Sequence, residues 1–255
     1  MAKYDATFWR RVLAATKPTA LMGTLQRMVE NQEQKVTVAL VDSFAEHDVL
    51  ESLLEESKPY TDYGPDFLRL DYLLRTPWRY PPLRWGSRFG RRFEPSLFYG
   101  SLTAEALFAE AAYYRLVFLE GMETPFRERV ISQHTVFEAQ YQTDRGLDLR
   151  RAPFAKHADT LRHKVRYSPC QQLGTELRER DVVAITYFSA RAQGDEPNIG
   201  LFSPKGLRSK KHLRPRHVLC ETHTEGVSFR LGDELRSYAR ELFLYEGRLP
   251  QPAVG

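Results

Sequence analysis

The run over residues 182–188 constrains the fold most, because it is continuously apolar and rich in β-branched residues. Such a run predicts a strand that is buried on both faces, so other layers must cover it. Helical patterns precede it in the chain: one opens near Thr103 and ends at Gly121, and others cover about 155–165 and 170–180. The sequence therefore predicts an α+β fold, with a mixed β core and flanking helices.

The front of the chain has a different pattern from the rest. Residues 5–31 predict two helices that are interrupted at Lys17-Pro18. A capping-box pattern over 43–46 predicts a further helix. We therefore expect a helical N-terminal extension over 1–65, a main domain over 66–247 and a loose tail over 248–255. The second of the two helices over 5–31 is predicted because apolar residues recur there at helical spacing, namely Leu21, Leu25, Met28 and Val29.

The second half is richer in strand patterns. Residues 136–141 and 147–149 alternate between apolar and polar side chains, as strands do. Residues 218–231 predict a hairpin that turns at Glu225-Gly226.

Composition excludes little on its own. The formal net charge of +4 over 255 residues is too weak to indicate nucleic-acid binding. The two cysteines, Cys170 and Cys220, are far apart, which favours a reduced, cytoplasmic protein. No run approaches the roughly 20 apolar residues of a membrane span, and no signal peptide is expected.

Arginines concentrate in one short region. Residues 75–92 contain six arginines and no acidic residue. Among them Arg88 lies in Gly-Ser-Arg-Phe-Gly, where small neighbours let the backbone approach a ligand closely. Such a loop suits a polyanion such as a pyrophosphate, although surface arginines on a loop would give the same pattern.

Three further side chains are candidates for a site. Glu110 shares a helical stripe with small and aromatic residues, which suits catalysis, but a salt bridge to an arginine would also explain it. Tyr99 ends a short apolar strand, where packing is the ordinary role. Ser189 follows the buried strand, where sites often gather, although a serine there is usually a turn residue.

Other motifs give no support to alternative chemistries. The sequence lacks a Walker loop, a dinucleotide-binding glycine motif and a nucleophile elbow. Pairs such as His157 with His163, or Cys220 with His223, lack the rest of a metal-ligand set, so no metal is expected. The basic run over 205–217 fits a solvated loop, with a nucleic-acid contact as the lesser alternative.

Taken in order, these motifs resemble the RES domain family, which is named for its arginine, glutamate and serine. The motifs are Gly-Ser-Arg-Phe-Gly (86–90), Leu-Phe-Tyr-Gly-Ser-Leu (97–102), Ala-Glu-Ala-Leu-Phe-Ala-Glu (104–110), Tyr-Phe-Ser-Ala-Arg (187–191) and Asn-Ile-Gly-Leu-Phe (198–202). The sequence departs from the family at Gly90, where many members have Asn, and at 91–94, where a Pro-Gly turn is common.

The resemblance implies an ADP-ribosyltransferase-like fold and degradation of NAD, which is then a substrate and not a cofactor. It implies inorganic phosphate as co-substrate, with release of nicotinamide, and the role of a toxin neutralised by an Xre-type antitoxin. By motif, the arginine is Arg88, the strand tyrosine Tyr99, the glutamate Glu110 and the serine Ser189. The chemistry of the residues agrees with this: Glu110 would stabilise the ribose cation, and Arg88, helped by Arg79, would grip the pyrophosphate. Tyr99 would orient the nicotinamide, and Ser189 would bond the ribose or the phosphate.

Two alternatives stay open. A relative of the family ADP-ribosylates a protein, so a protein ADP-ribosyltransferase is possible on the same fold. A catalytically silent module could instead hold nucleic acid through the arginine loop and residues 205–217.

Overall fold

The computed structural model describes residues 4–31, 43, 45–46, 49–50, 53, 63–80, 82, 84–123 and 129–251. The helices are α1 (Ala6–Ala14), α2 (Pro65–Leu68), α3 (Tyr72–Arg79), α4 (Ala104–Glu120), α5 (Ala158–Leu161) and α6 (Ser168–Arg178). The strands are β1 (Thr19–Glu30), β2 (Phe98–Ser101), β3 (Val130–Asp148), β4 (Ala184–Phe188), β5 (Pro197–Leu201), β6 (Leu213–His223), β7 (Gly226–Leu231) and β8 (Glu234–Ala239).

The strands form one mixed sheet. Its order is β1-β2-β5-β4-β3-β6-β7-β8, and β1 also pairs with β3. The pairing of β3 with β4 is parallel and the others are antiparallel. Because β1 pairs with both β2 and β3, the strands β1, β2, β5, β4 and β3 form a closed ring of pairings. The predicted α+β class with a mixed β core and flanking helices is confirmed.

The second predicted front helix is wrong, because residues 19–30 form the strand β1. This strand pairs with β3 from Thr19 opposite Gly146 to Glu30 opposite His134. Gly23 lies against the ring of Tyr141, where an added Cβ would come within 2.9 Å of the hydroxyl. The apolar spacing fits a helix, but pairing with a distant strand decides the structure. Residues 19–30 therefore belong to the sheet, while α1 confirms the first helix.

The helix α4 has the ends that the sequence predicts. The Thr103 hydroxyl accepts a hydrogen bond from the Ala106 amide, and the amide of Gly121 caps the last turn. Its buried side chains, among them Phe108, Ala112 and Leu116, pack against apolar residues of β6 and β7. A helix that is apolar on nearly every face must be covered on most sides. A polar residue on such a helix is therefore unusual.

Several other predictions can be compared with the structure. The strand β4 and the hairpin of β6 and β7 are confirmed. Ser43 Oγ accepts from the Glu46 amide at 3.2 Å, as in a capping box, but most of the helix predicted after it lies outside the described residues. In the predicted loose tail, Leu249 is buried and Pro250 O accepts from the Tyr113 hydroxyl at 2.6 Å. None of the described helices is long and apolar enough to cross a membrane.

Candidate active site

A cavity of about 670 Å³ lies between α4, β1, β2 and the loop that contains Arg88. Of the residues singled out in the sequence, Arg88, Tyr99 and Glu110 line it, whereas Arg79 and Ser189 do not. Aromatic rings form much of the remaining wall. Among the described residues, the charged ones that line the cavity are three arginines and two glutamates, namely Arg27, Arg88, Arg115, Glu30 and Glu110.

The Glu110 carboxylate is held by one of its two oxygens. Oε1 accepts a hydrogen bond from Ser189 Oγ at 2.6 Å and another from Asn198 Nδ2 at 3.0 Å. Among the described residues, Oε2 has no such donor, and Glu110 lines the cavity. The salt bridge to an arginine that the sequence left open is not observed in the described part of the chain. One oxygen is therefore fixed while the other remains available to a ligand.

Ser189 acts on Glu110 and not on the cavity. It is fully buried. Its Oγ accepts hydrogen bonds from the amides of Arg191 at 3.0 Å and Ala192 at 3.1 Å. Because a hydroxyl has one proton and these amides occupy its lone pairs, the proton is directed at Glu110. A direct contact of Ser189 with a ribose or a phosphate, as expected from the resemblance, has no support in this position.

Asn198 is a site residue that the sequence reasoning missed. It lies in β5, opposite Tyr187 of β4, and the Ser189 amide bonds Glu196 O at 2.7 Å. The antiparallel register therefore brings Asn198 beside Ser189. Asn198 is buried, and its Oδ1 has no hydrogen-bond partner among the residues that the structure describes. A polar residue inside an otherwise apolar strand was the available signal.

The Gly-Ser-Arg-Phe-Gly loop is fixed by Tyr99. The Tyr99 hydroxyl accepts from the Phe89 amide at 3.0 Å and lies 2.9 Å from Ser87 Oγ. Burial raises the pKa of Tyr99 to about 12, so the phenol stays protonated at neutral pH. Gly86 has φ +76°, which favours glycine. Tyr99 thus supports the loop through its hydroxyl and lines the cavity with its ring.

The guanidinium of Arg88 already has hydrogen-bond and stacking partners within the protein. Nη1 donates to Leu161 O at 3.2 Å and to His163 O at 3.0 Å, and the group lies 4.4 Å from the centre of the Tyr167 ring. The Tyr167 hydroxyl accepts from Arg191 Nη2 at 2.8 Å. These contacts connect Arg88 to the segment that holds Ser189.

Arg79 is not brought to the cavity. It is the last residue of α3. The same helix and its end contribute Thr76, Pro77 and Tyr80 to the cavity wall. The expected help of Arg79 in gripping a pyrophosphate therefore has no support in its position.

The cavity lining includes a second group of polar residues. Arg115 on α4 forms an ion pair with Glu30 of β1 at 2.9 Å. Burial, and then the nearby charge of Arg115, lowers the pKa of His134. His134 is therefore neutral at pH 7. Sequence reasoning missed this group, because Arg115 and Glu30 lie far apart along the chain.

The arrangement suits a reaction in which positive charge develops next to Glu110. A preorganised carboxylate stabilises such a charge most strongly where water is partly excluded. The arginines suit an anionic ligand. In the described part of the chain, no group of three or more His, Cys, Asp or Glu side chains could hold a metal ion.

Comparison with known proteins gives a family match. The model of the RES domain matches residues 66–223, which is more than half of the chain. The match contains Arg88, Tyr99, Glu110 and Ser189, whereas β1 lies outside it. No curated protein sequence matches the chain.

One solved structure with a related shape is the M. tuberculosis MbcT–MbcA toxin–antitoxin complex. The similarity has a TM-score of 0.44 and 11% sequence identity. It covers 80% of this chain and 91% of that chain.

Proposed function

The chain belongs to the RES domain family, and we propose that it degrades NAD by cleaving the bond between nicotinamide and ribose. The observation that carries this proposal is the Glu110 carboxylate in the cavity wall. Its Oε1 is held by Ser189 and Asn198, and its Oε2 has no donor within the described part of the chain. The family match supports the same reaction class.

The chemistry follows from the position of this carboxylate. When the C–N bond breaks, nicotinamide leaves with the bonding electron pair and positive charge develops on the ribose. Glu110 stabilises this charge, and Oε2 can accept a hydrogen bond from a ribose hydroxyl. Since Oε1 is already fixed, the carboxylate does not have to reorient during the reaction. Nicotinamide is cationic in the substrate and leaves neutral, so the step does not require a metal.

The cavity has the size and lining for such a substrate. Ligand cavities typically have volumes of about 300–1,000 Å³, and this one is about 670 Å³. The rings of Tyr99, Tyr167 and Tyr187 line it, together with Glu110, and offer flat surfaces for the nicotinamide. Arg88 lies in the same wall and would contact the diphosphate.

We propose inorganic phosphate as the acceptor. A phosphate oxygen would form the new bond to the ribose carbon that nicotinamide leaves, giving ADP-ribose 1″-phosphate and free nicotinamide. The arginines of the lining are suited to bind an anionic acceptor. Water or a protein side chain are the competing acceptors.

The acceptor can be identified by incubating the purified protein with labelled NAD, with and without phosphate. Phosphorolysis predicts that nicotinamide release depends on phosphate and that the label appears in a phosphorylated ADP-ribose. Release without phosphate would indicate hydrolysis, and label on a protein would indicate an ADP-ribosyltransferase. No consumption of NAD under any of these conditions would contradict the proposed function.

We also propose that the protein is a toxin of a toxin–antitoxin pair, acting in the cytoplasm and neutralised by an Xre-type antitoxin. The family resemblance supports the partner, and the two free, buried cysteines fit a reducing compartment. Expression in bacteria should deplete NAD and stop growth, and co-expression of a helix-turn-helix protein encoded next to it should restore growth. Unchanged growth and NAD content would contradict this role.

A further inference from the structure

Arg27 is a cavity arginine that the family motifs do not include. It lies on β1, opposite Phe137 of β3, outside the matched residues 66–223. Its guanidinium stacks on the Phe98 ring at 5.0 Å, and Nη1 donates to Tyr99 O at 2.6 Å. These contacts fix the side chain where it lines the cavity.

The charge of Arg27 is not compensated by any described acidic residue. Arg115 is paired with Glu30 at 2.9 Å, and Arg88 is bonded to two carbonyls and stacked on Tyr167. Among the described residues, no carboxylate pairs with Arg27, and its buried Nε has no hydrogen-bond partner. Burial lowers the pKa of Arg27 to about 10, so it remains a cation at pH 7. A fixed, half-buried cation without an acidic partner is suited to an anion.

We infer that Arg27 binds the diphosphate of the substrate, together with Arg88. This inference rests on the proposed function, since it names a further binding residue of the same site. Tyr99 connects the two arginines: its carbonyl accepts from Arg27, and its hydroxyl holds the loop of Arg88. Each phosphate of a dinucleotide diphosphate carries a negative charge, so two cations on either side of Tyr99 match it.

The charge balance of the lining agrees with this assignment. The described lining residues have one more arginine than glutamates. NAD has an excess of one negative charge, because each of its two phosphates is negative and only its nicotinamide is positive. Replacement of Arg27 by a neutral residue would remove the positive excess and leave the remaining arginines matched by glutamates.

The test is calorimetric titration of the full chain with ADP and with adenosine, neither of which contains the bond to be cleaved. For Arg27→Gln we expect ADP to bind about tenfold or more weakly, with adenosine affinity unchanged, because the variant loses a charge-assisted contact. Arg230→Gln, which removes an exposed arginine outside the cavity, is the matched control and should bind ADP like the wild type.

Two outcomes would overturn the inference. In the first, Arg27→Gln binds ADP as tightly as Arg230→Gln does. In the second, the wild type binds ADP and adenosine with the same affinity. If Arg27→Gln loses adenosine as well, its fold is affected, and Arg27→Met becomes the deciding variant. Methionine removes the charge but keeps an unbranched apolar chain that can pack on the Phe98 ring, so weaker ADP binding with adenosine affinity retained supports the inference, and unchanged ADP binding contradicts it.

The two proposals fail in different ways. A protein that releases no nicotinamide from NAD would contradict the proposed function, while the ADP titration would still report on Arg27. Conversely, Arg27→Gln could have an unchanged ADP affinity and an unchanged KM for NAD. This result would contradict the role of Arg27 but not the proposed function.

Discussion

Ser189 Oγ donates a hydrogen bond to Glu110 Oε1 at 2.6 Å, although 79 positions separate the two residues in the sequence. Glu110 lies in the middle of α4, and Ser189 follows the end of β4. The hydrogen bond joins the helix to the end of the buried strand and fixes the carboxylate that faces the cavity. A residue that acts in this way affects the reaction through Glu110.

Ser189→Ala should therefore lower kcat more than it changes KM. The variant removes the donor to Glu110 and leaves the amides of Arg191 and Ala192 without their acceptor, at a cost of about 1–3 kcal/mol in the free energy of unfolding. A loss of about 1.4 kcal/mol of transition-state stabilisation lowers kcat about tenfold. Steady-state kinetics and urea unfolding measure the two effects. An increase in KM with kcat unchanged would show that Ser189 contacts the substrate.

Asn198→Asp should lower kcat more than Asn198→Ala does. It replaces the amide donor, 3.0 Å from Glu110 Oε1, by a group that repels the Glu110 carboxylate, whereas Asn198→Ala removes the donor without adding a like charge. Loss of a hydrogen bond to a charged group costs about 1.5–3 kcal/mol, and about 1.4 kcal/mol of transition-state stabilisation corresponds to a tenfold change in kcat. Steady-state kinetics of the two variants and the wild type measures the effect. The same kcat in all three proteins would contradict the role of Asn198.

Gly174→Ala should destabilise the arginine loop. A Cβ at Gly174, on α6, would lie 2.0 Å from Phe89 O, so the helix and the loop would have to separate. Overpacking of this kind typically costs about 1–3 kcal/mol in the free energy of unfolding, and activity should fall with it. Gly121→Ala is the control, because its Cβ would have ordinary contacts at 3.4 Å. Equal stability of the two variants, measured by urea unfolding, would argue against close packing of α6 on the loop.

Local signals predicted the parts of the fold that depend on neighbouring residues. Thr103 and Gly121 define the ends of α4 because capping involves residues within one turn. The apolar, β-branched run of β4 predicted a buried strand, because this signal also lies within the strand itself. In contrast, β1 has an apolar spacing that fits a helix, and only its pairing with β3, more than a hundred residues away, decides for a strand.

The candidate site was predicted only in part. Glu110 and Arg88 were identifiable from their local patterns, and the motif order added Tyr99 and Ser189. Asn198 was part of the motif over 198–202 but had no assigned role, and Arg27 was in no motif. Each reaches the site through strand register: Asn198 opposite Tyr187, and Arg27 through the pairing of β1 with β3. Such juxtapositions depend on the whole sheet and are not visible in any single stretch of the sequence.

The most direct test of the central claim is the release of nicotinamide from NAD by the wild type, Glu110→Gln and Glu105→Gln. Glu105 lies on the same helix but bonds Tyr238 instead of lining this cavity. The account predicts that the wild type and Glu105→Gln release nicotinamide, while Glu110→Gln is at least about a hundredfold slower, as for the loss of a transition-state charge contact. Full activity of Glu110→Gln, or no release by the wild type, would contradict it.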